Sequence, residues 1–434
     1  MKYHSTNNHN LTASLKEAVL RGLAEDKGLF MPENIRPLPP GFFEDIKQIP
    51  FREIAVKAAH HLFDDDLPPA DVEALTRDAI SFDTPLVHVH DNIWSLELFH
   101  GPTFAFKDVG ARFMARLLGY FTQDVNQTVH VLVATSGDTG SAVANGFRKV
   151  PGIHVHILFP RGLVSPLQEK QFTTLGENIT ALSVDGTFDD CQRLVKAAFP
   201  DKTLNDKLIL TSANSINLAR LLPQSFYYFN GYARMDAPGK DLYISVPSGN
   251  FGNLTAGLIA GAMGLPVKQY ITATNINDIV PKYLESGIYS PASSLATIAN
   301  AMDVGDPSNF VRILDMFGHS HEKIAGRIHG YRYTDQQIKE TIKKVYHGHG
   351  YLLDPHSATG YRSLFEEIHG RDDAAGFFIA TAHPAKFHEI VEKVIGEKVH
   401  IPEALQKTML KESKTIDLPE EYSNFRDYLM DGKY

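Results

Sequence analysis

Short apolar runs rich in Val and Ile recur along most of this chain, and each ends in Gly, Ser, Thr or Asn before a helical period begins. The runs are 129–134, 154–159, 179–184, 208–210, 242–246, 269–273 and 377–380. Strands that alternate with helices require crossover connections, so this order predicts an α/β fold with mainly parallel sheets and helices on both faces. Ligands bind such sheets beyond the carboxyl ends of the strands, so the loops there are the expected places for chemistry.

Composition narrows the classes of partner that fit this chain. Its 434 residues allow two or three domains, and 42 Lys and Arg against 51 Asp and Glu give a net charge of -9, which disfavours nucleic acid and anionic membrane surfaces. The single cysteine, Cys191, excludes an internal disulfide and fits a reducing compartment. The opening MKYHSTNNHN lacks a signal-peptide pattern, and no apolar run reaches the roughly 18 residues of a membrane span. We therefore expect a cytoplasmic protein with no nucleic acid or membrane partner, and the oligomeric state stays open.

The first 84 residues differ from the rest and are predicted to form a mainly helical amino-terminal extension. Ser14 and Glu17 have capping-box spacing at the start of a helical period, which predicts a helix over 14–25. Two further helices are predicted over 51–63 and 70–80. The Thr84-Pro85 pair favours a break at the end of this extension.

The loop SVPSGNFGN, residues 245–253, follows an apolar strand and precedes a helix of small residues. Backbone N–H groups and a helix N-terminus converge in such a turn, and Gly249 and Gly252 allow an anion to approach closely, so the loop is a candidate phosphate site. The alternative is an ordinary strand-to-helix turn. Neither GxxxxGK[ST] nor GxGxxG occurs in the chain.

A second loop of this kind, ATSGDTGSA, covers residues 134–142. Hydroxyls of Thr135, Ser136 and Thr139 stand beside the predicted helix start, where a carboxylate or phosphate is stabilised. The alternative is that Ser136 and Asp138 only cap the helix. Two anion sites in one chain suggest two anionic groups.

The third candidate is Lys107, in the segment HGPTFAFKDVGARF. It lies next to Phe106 and Asp108, with Phe104 nearby. Desolvation among aromatic rings disfavours the ammonium form, which makes an amine available as a nucleophile toward an aldehyde. The alternative is a solvated surface lysine.

Taken together and in this order, the motifs HGPTFAFKD, TSGDTG and PSGNFGN resemble those of the threonine synthase family, pyridoxal-phosphate (PLP) enzymes with the tryptophan-synthase-β-like fold, fold type II. The resemblance covers nearly the whole chain. Further stretches that resemble family motifs are GLFMP at 28–32, SPLQEKQ at 165–171, NSINLARLL at 214–222, NAMDVGDPSN at 300–309, LDPHSATGY at 353–361 and TAHPAKF at 381–387.

The resemblance implies a two-lobed enzyme that converts O-phospho-L-homoserine and water to L-threonine and phosphate. It implies that Lys107 forms the Schiff base with the PLP aldehyde and that Thr381 faces the pyridine nitrogen. The implied phosphate cradle consists of Gly249, Asn250, Phe251, Gly252 and Asn253. Thr135, Ser136 and Thr139 are implied to receive the substrate carboxylate, while Arg161 and Ser165 are our candidates for the substrate phosphate. The role of Asp138 stays open, because an ionised carboxylate cannot donate a hydrogen bond to the ring oxygen.

The implied lobes are a larger α/β domain of residues 85–110 and 206–434, which binds PLP, and a smaller α/β domain of residues 111–205. Two other functions stay open: a related phospho-lyase that releases 2-oxobutyrate, and a non-catalytic relative that binds a metabolite.

No metal site is expected. His-x-His pairs occur at 88 and 90, 154 and 156, 319 and 321, and 347 and 349, but no HExxH motif or cysteine pair accompanies them. Cys191 has helical spacing with Phe188 and Leu194, which predicts a core position.

Overall fold

A computed structural model describes residues 1–432, and it confirms an α/β fold built on parallel sheets. The strands are β1 (Tyr3–Ser5), β2 (Thr12–Ala13), β3 (Phe30–Pro32), β4 (Leu86–His90), β5 (Ile93–Glu97), β6 (Val129–Ala134), β7 (Ile153–Pro160), β8 (Ile179–Val184), β9 (Ile209–Ser212), β10 (Asp241–Pro247), β11 (Val267–Thr274), β12 (Ile328–Arg332), β13 (Ala374–Ala380) and β14 (Ile416–Leu418).

The helices connect the strands and cover the sheets. They are α1 (Leu15–Arg21), α2 (Pro40–Asp45), α3 (Phe51–Phe63), α4 (Pro69–Ala79), α5 (Lys107–Phe121), α6 (Asp138–Phe147), α7 (Pro166–Thr173), α8 (Phe188–Ala198), α9 (Lys202–Asn205), α10 (Leu218–Leu221), α11 (Phe226–Arg234), α12 (Gly252–Ala262), α13 (Ile279–Ser286), α14 (Phe310–Met316), α15 (His321–Ala325), α16 (Asp335–His349), α17 (Pro355–Ile368), α18 (His388–Ile395), α19 (Glu403–Met409) and α20 (Tyr422–Asp431). Short 3-10 turns cover Ile46–Gln48, Leu222–Ser225, Asn300–Met302 and Pro384–Phe387.

The described residues divide into two compact units. The first unit comprises Met1, 31–106 and 221–400, and its six-stranded sheet has the order β12-β11-β10-β13-β5-β4. All neighbours in this sheet are parallel except the β4–β5 hairpin. Every residue of β13 is buried, and side chains alternate between the two faces of a strand, so both faces of this sheet are covered.

The second unit comprises residues 2–30, 107–220 and 401–434, of which the structure describes those up to 432. Its five-stranded sheet has the order β14-β8-β7-β6-β9, and every neighbouring pair is parallel. Strand β6 is buried along its whole length, so this sheet is also covered on both faces.

Local predictions agree closely with the observed elements. The bounds of β6, β8 and α3 coincide with the predicted segments. Ser14 caps α1, and both hydrogen bonds of the predicted capping box with Glu17 form. Helix α1 ends at Arg21 instead of continuing to 25, because Gly22 has φ +71° and stops it. The β4–β5 hairpin was not predicted, since both strands mix polar with apolar residues and neither forms a continuous apolar run.

The division into units differs from the predicted domain boundaries. The amino-terminal extension is split, because residues 2–30 join the second unit while α3 and α4 belong to the first. In the second unit, Val19 O of α1 accepts hydrogen bonds from Thr211 Oγ1 (3.2 Å) and Asn217 Nδ2 (2.9 Å). The described residues from 401 to 432 also belong to the second unit, where β14 pairs with β8. These contacts join segments that are far apart in the chain, so no local sequence pattern predicts them.

Cys191 lies in the apolar core of the second unit with Leu194, as predicted. Burial among these residues raises the pKa of its thiol to about 12, with Asp190 adding to the rise, so the thiolate is strongly disfavoured. Among residues 1–432, no helix is both long and apolar enough to cross a bilayer.

Candidate active site

In the first unit, the glycine-bearing turn that begins at Ser248 connects β10 to α12. Strand β10 lies between β11 and β13 and ends at Pro247, and α12 begins at Gly252. Phe251 precedes the helix with φ +59°, a left-handed conformation that turns the chain into α12. The first N–H groups of a helix have no partner within it, and here the first backbone bond into α12 runs from Thr255 N to Phe251 O. The turn therefore presents backbone donors where the sequence predicted a phosphate site.

Gly249 is required by the close approach of another segment. A Cβ at this position would lie 2.5 Å from Ala301 O and 2.9 Å from Met302 Cα. Both of those neighbours are backbone atoms, so any side chain at 249 would force the turn and the segment apart. The absence of a side chain at Gly249 therefore allows the turn to pack directly against the backbone of Ala301 and Met302.

Asn253 lies in the first turn of α12 and has a buried amide side chain. Its Oδ1 accepts hydrogen bonds from the hydroxyls of Tyr227 (2.7 Å) and Tyr228 (2.6 Å). Burial raises the pKa of both phenols well above their usual range, so they stay protonated and donate. The Nδ2 of Asn253 is buried and has no hydrogen-bond partner among the described residues 1–432, although such groups in native proteins are nearly always paired. An orphaned donor at this place fits an anionic ligand.

Asn250 anchors the outer side of the turn. Its Oδ1 accepts from Ser308 N at 2.6 Å, and its carbonyl accepts from Asn309 N at 3.3 Å. The ring of Phe251 packs edge-on against Phe310, with 6.1 Å between centroids. These contacts connect the turn to the start of α14 and hold Asn250 and Phe251 in place.

Thr381 lies directly after β13 and is almost fully buried. Its carbonyl accepts from Phe106 N at 2.8 Å, and its hydroxyl makes no hydrogen bond within residues 1–432. Two neighbours hold the same loops together: Lys386 Nζ donates to Thr103 O (2.9 Å), and His383 N donates to Phe104 O (3.1 Å). The segment that leads into Lys107 and the segment that carries Thr381 are therefore joined.

His383 stays neutral in this arrangement. Desolvation and, to a smaller extent, the charge of His100 lower the pKa of its imidazole to about 4, while Glu97 opposes the shift. The ring packs edge-on against Phe104, with 5.8 Å between centroids, and against Phe99.

Lys107 is the first residue of α5 in the second unit and is half-buried. The next residue, Asp108, is fully buried. One turn along, a Cβ at Gly110 would lie 2.5 Å from Arg220 O, so α5 packs directly on the backbone there. Helix α5 is thus firmly seated at the end that carries the lysine.

The turn after β6 is closed by its own side chains. Thr135 Oγ1 accepts hydrogen bonds from Gly137 N (3.0 Å) and Gly140 N (2.8 Å). Asp138 Oδ1 accepts from Gln168 Nε2 at 2.8 Å, so this carboxylate has a side-chain partner in α7. Gly137 has φ +140°, which an L side chain rarely adopts.

Two hydroxyls of this turn keep their hydrogen-bonding capacity. Ser136 and Thr139 are half-buried, and neither hydroxyl makes a hydrogen bond within the described part of the chain. Both flank the N-terminus of α6, where the helix dipole favours an anion. They are the members of the predicted carboxylate set that are free to bind a ligand.

The residues proposed for a substrate phosphate already have partners. Ser165 caps α7: its Oγ accepts from Gln168 N (3.3 Å) and donates to Gln168 Oε1 (2.9 Å). Arg161 forms an exposed ion pair with Asp417, at 3.1 Å, and donates to Ser183. An exposed ion pair of this kind is weak and exchangeable, so it competes with a ligand only slightly.

Two other polar residues that follow β9 have structural roles. Asn214 forms two hydrogen bonds with the backbone of Ala134, which fixes the end of β6. Arg220 is buried and donates to Ala213 O, and desolvation lowers the pKa of its guanidinium to about 10.

The sequence analysis missed the two tyrosines that hold Asn253. They belong to the run FYYF at 226–229, whose only local signal was an aromatic helix face. The buried pair Asp354 and His356 lies in LDPHSATGY, a motif that the sequence analysis noted without assigning a role.

The first unit has the features that the phosphate of PLP requires. The turn presents a helix N-terminus, a glycine backed tightly by another backbone, and the orphaned Asn253 Nδ2. The turn in the first unit thus fits the phosphate of this cofactor.

Three families match successive parts of the chain. Residues 2–80 match the threonine synthase N terminus, 80–376 the pyridoxal-phosphate dependent enzymes, and 357–429 the threonine synthase C-terminal family. The threonine synthase of Haemophilus influenzae is 43% identical over 418 residues, which cover 96% of each chain.

Solved structures agree over the same length. The crystal structure of threonine synthase from Escherichia coli has a TM-score of 0.93 and 41% identity, with both chains covered completely. The PLP-bound threonine synthase from Brucella melitensis has a TM-score of 0.91 and 35% identity, with 99% of each chain covered.

Proposed function

From the premise that this chain belongs to the threonine synthase family, whose cofactor is PLP, we propose that it converts O-phospho-L-homoserine and water to L-threonine and phosphate. The family assignment, the fold type and the cofactor expected from the motifs are confirmed. The match of sequence and structure over the whole chain carries the proposal.

We assign the cofactor to residues that the family resemblance and the local geometry both support. Lys107 is the attachment point, and the turn from Gly249 to Asn253 holds the phosphate through backbone N–H groups and Asn253 Nδ2. The Thr381 hydroxyl faces the pyridine nitrogen of the cofactor. When bound, the cofactor withdraws electrons and stabilises negative charge at Cα and Cβ of the substrate, which no ordinary side chain can do.

Lys107 also moves protons. Its Nζ takes the proton from Cα of the substrate and transfers protons at Cβ, as a general base and then as a general acid. A neutral amine is required for the first step.

The turn after β6 binds and orients the substrate carboxylate. The hydroxyls of Ser136 and Thr139 donate to it, and the N-terminus of α6 stabilises its charge. Thr135 supports these two residues from behind, because its Oγ1 holds the N–H groups of Gly137 and Gly140. For the substrate phosphate we keep Ser165 and Arg161, and the ion pair of Arg161 with Asp417 must open when this anion binds.

Product analysis tests the reaction. We expect the purified, PLP-loaded protein to release equal amounts of phosphate and threonine from O-phospho-L-homoserine. A phospho-lyase would release phosphate and 2-oxobutyrate instead, and a non-catalytic relative would release neither, so either result would overturn the proposal. The cytoplasmic location stays a prediction that cell fractionation can check.

Lys107→Ala tests the assignment of the lysine. We expect turnover to fall by about a thousandfold or more, because both the attachment point and the proton-transfer group are lost. The visible absorption band of bound cofactor should change, and borohydride should no longer fix the cofactor to this position, as read by peptide mass. Lys343→Ala is the matched control, since Lys343 is exposed on α16 and should leave all three readouts unchanged.

A further inference from the structure

The segment 299–303 lies directly behind the glycine of the cradle, within the first unit. The O of Ala301 and the Cα of Met302 are the atoms that a Cβ at Gly249 would meet. The segment consists of one 3-10 turn, Asn300–Met302, and it belongs to neither a strand nor a longer helix. Side chains from other elements must therefore hold it in place.

One such anchor is Asp303. Its Oδ1 accepts from Asn275 Nδ2 (2.8 Å) and Thr297 Oγ1 (2.8 Å), and its Oδ2 accepts from Thr297 N (3.0 Å). Asn275 also donates to Ala299 O at 3.3 Å. These bonds fix both ends of the segment but leave the N–H of Ala301 to another partner.

That partner is His356, a buried residue in the first turn of α17. Ala301 N donates to His356 Nε2 at 3.1 Å. A backbone N–H can only donate, so Nε2 must be unprotonated and the ring proton must lie on Nδ1. Nδ1 is 2.7 Å from Asp354 Oδ2, and Asp354 is fully buried. The carboxylate thus selects the one neutral tautomer that can accept from Ala301.

Other contacts keep this ring in place. Phe387 packs against His356 with 4.9 Å between centroids. Asp354 is itself held, because it caps α17 and accepts from Ser357 N (3.0 Å) and His356 N (2.9 Å). The imidazole therefore has a fixed position, a fixed tautomer and one backbone group to bind.

We propose that Asp354 and His356 form a positioning dyad for the cofactor cradle. His356 holds Ala301, Ala301 backs Gly249, and the turn from Gly249 to Asn253 is thereby kept in the shape that binds the cofactor phosphate. The dyad touches no reacting atom, so it acts on cofactor affinity and on the environment of the phosphate. This inference rests on the proposed function of the turn.

The experiment titrates apoprotein with PLP and follows the absorption of the bound cofactor and its 31P resonance. In His356→Asn the side-chain amide extends only to the former position of Nδ1, so no atom remains at the position of Nε2 to accept from Ala301 N. His356→Gln places an amide oxygen near the former Nε2 and restores that acceptor. Tyr331→Phe is the matched control, because it removes a 2.7 Å hydrogen bond to Glu367, near the other end of α17.

We expect His356→Asn to raise the dissociation constant of PLP by about tenfold or more and to shift the 31P resonance, because the bond that backs the cradle is lost. His356→Gln should stay within about threefold of the parent, and Tyr331→Phe within about twofold. Rescue by Gln separates positioning from a loss of fold, and the thermal midpoint of each apoprotein checks this directly.

Asp354→Asn is the second variant, and it serves if His356→Asn does not fold. Asn caps a helix as well as Asp does, but it lacks the charge that selects the tautomer. We expect a rise of about threefold or more in the dissociation constant of PLP.

Gly249→Ala distinguishes failure of the dyad from failure of the cradle. If Gly249→Ala loses PLP while His356→Asn or Asp354→Asn keeps the parent's dissociation constant and 31P resonance, the dyad inference is wrong and the cradle stands. If Gly249→Ala also retains PLP as the parent does, the assignment of the cradle itself is wrong.

Discussion

Two strand-to-helix turns of this protein follow the same local plan but leave different groups free. The turn between β10 and α12 and the turn between β6 and α6 both lie at the carboxyl end of an inner parallel strand. In the first, Asn253 Nδ2 is a buried donor with no partner among residues 1–432. In the second, Thr135 Oγ1 already accepts from two backbone N–H groups, while the half-buried hydroxyls of Ser136 and Thr139 make no hydrogen bond in the part of the chain that the structure describes.

The difference is the one expected between a resident anion and an exchanging one. A buried donor left without a partner costs about 1–3 kcal/mol, so the first turn is stabilised when a phosphate occupies it. Half-buried hydroxyls can bond to water when no ligand is present, so the second turn is stable in both states. The side chains of the two turns thus differ in the way that our proposal of a retained cofactor and an exchanging substrate requires.

Among the variants that test this difference between the turns, Asn253→Asp should cause the largest change, a loss of affinity for PLP. The variant keeps the oxygen that Tyr227 and Tyr228 bind, but it replaces the orphaned donor by a carboxylate oxygen that faces the phosphate. We expect the dissociation constant of PLP to rise by about a hundredfold or more, measured by titration of apoprotein. Pyridoxal, which lacks the phosphate, is the control ligand and should lose much less affinity. Equal losses for both ligands would contradict the assignment of Asn253.

Thr135→Val and Thr139→Val should show that Thr135 stabilises the second turn and that Thr139 binds the substrate. Removing Thr135 Oγ1 leaves two buried N–H groups unpaired and should lower the free energy of unfolding by about 2 kcal/mol in urea titrations. The hydroxyl of Thr139 makes no hydrogen bond within residues 1–432, so its loss should change stability by less than about 0.5 kcal/mol. It should raise KM for the substrate by about tenfold while the affinity for PLP stays constant. An increase in KM without loss of stability in Thr135→Val would reverse these assignments.

Acid should affect the second unit more than the first, which is the smallest effect we expect. His130, His154 and His156 lie on neighbouring strands β6 and β7, and burial lowers the pKa of each imidazole, to about 4 for His130. Unfolding restores a pKa of about 6.5, so the unfolded chain binds more protons and stability falls as the pH drops from about 6.5 toward 4. Hydrogen exchange should show β6 and β7 losing protection before β10 and β13. In the first unit, His383 lies after the end of β13, and its pKa is also lowered to about 4.

His154→Gln is the control for the acid effect. Gln can keep the 2.9 Å contact that His154 Nε2 makes with Thr180 Oγ1, but it does not titrate. The loss of protection should move to lower pH in this variant. An unchanged pH dependence would mean that His154 does not contribute to the effect.

The local part of the fold was predictable because it depends on neighbours in the chain. The capping box at Ser14, the bounds of β6 and β8, and the glycine turn at 249–252 follow from periodicity, caps and backbone freedom. The motifs HGPTFAFKD, TSGDTG and PSGNFGN, in this order, also indicated the family. For the same reason the sequence gives a set of site residues but not what each side chain contacts.

Only the tertiary structure decided which distant segments meet. It places β14 beside β8, pairs Arg161 with Asp417, directs Tyr227 and Tyr228 to Asn253, and brings His356 to Ala301 behind Gly249. None of these contacts leaves a local pattern, because each joins residues that are far apart in the chain and that pack together only when the sheets are assembled. The sequence thus determined the elements and the chemical groups, and packing determined which of those groups are already bonded and which remain free for a ligand.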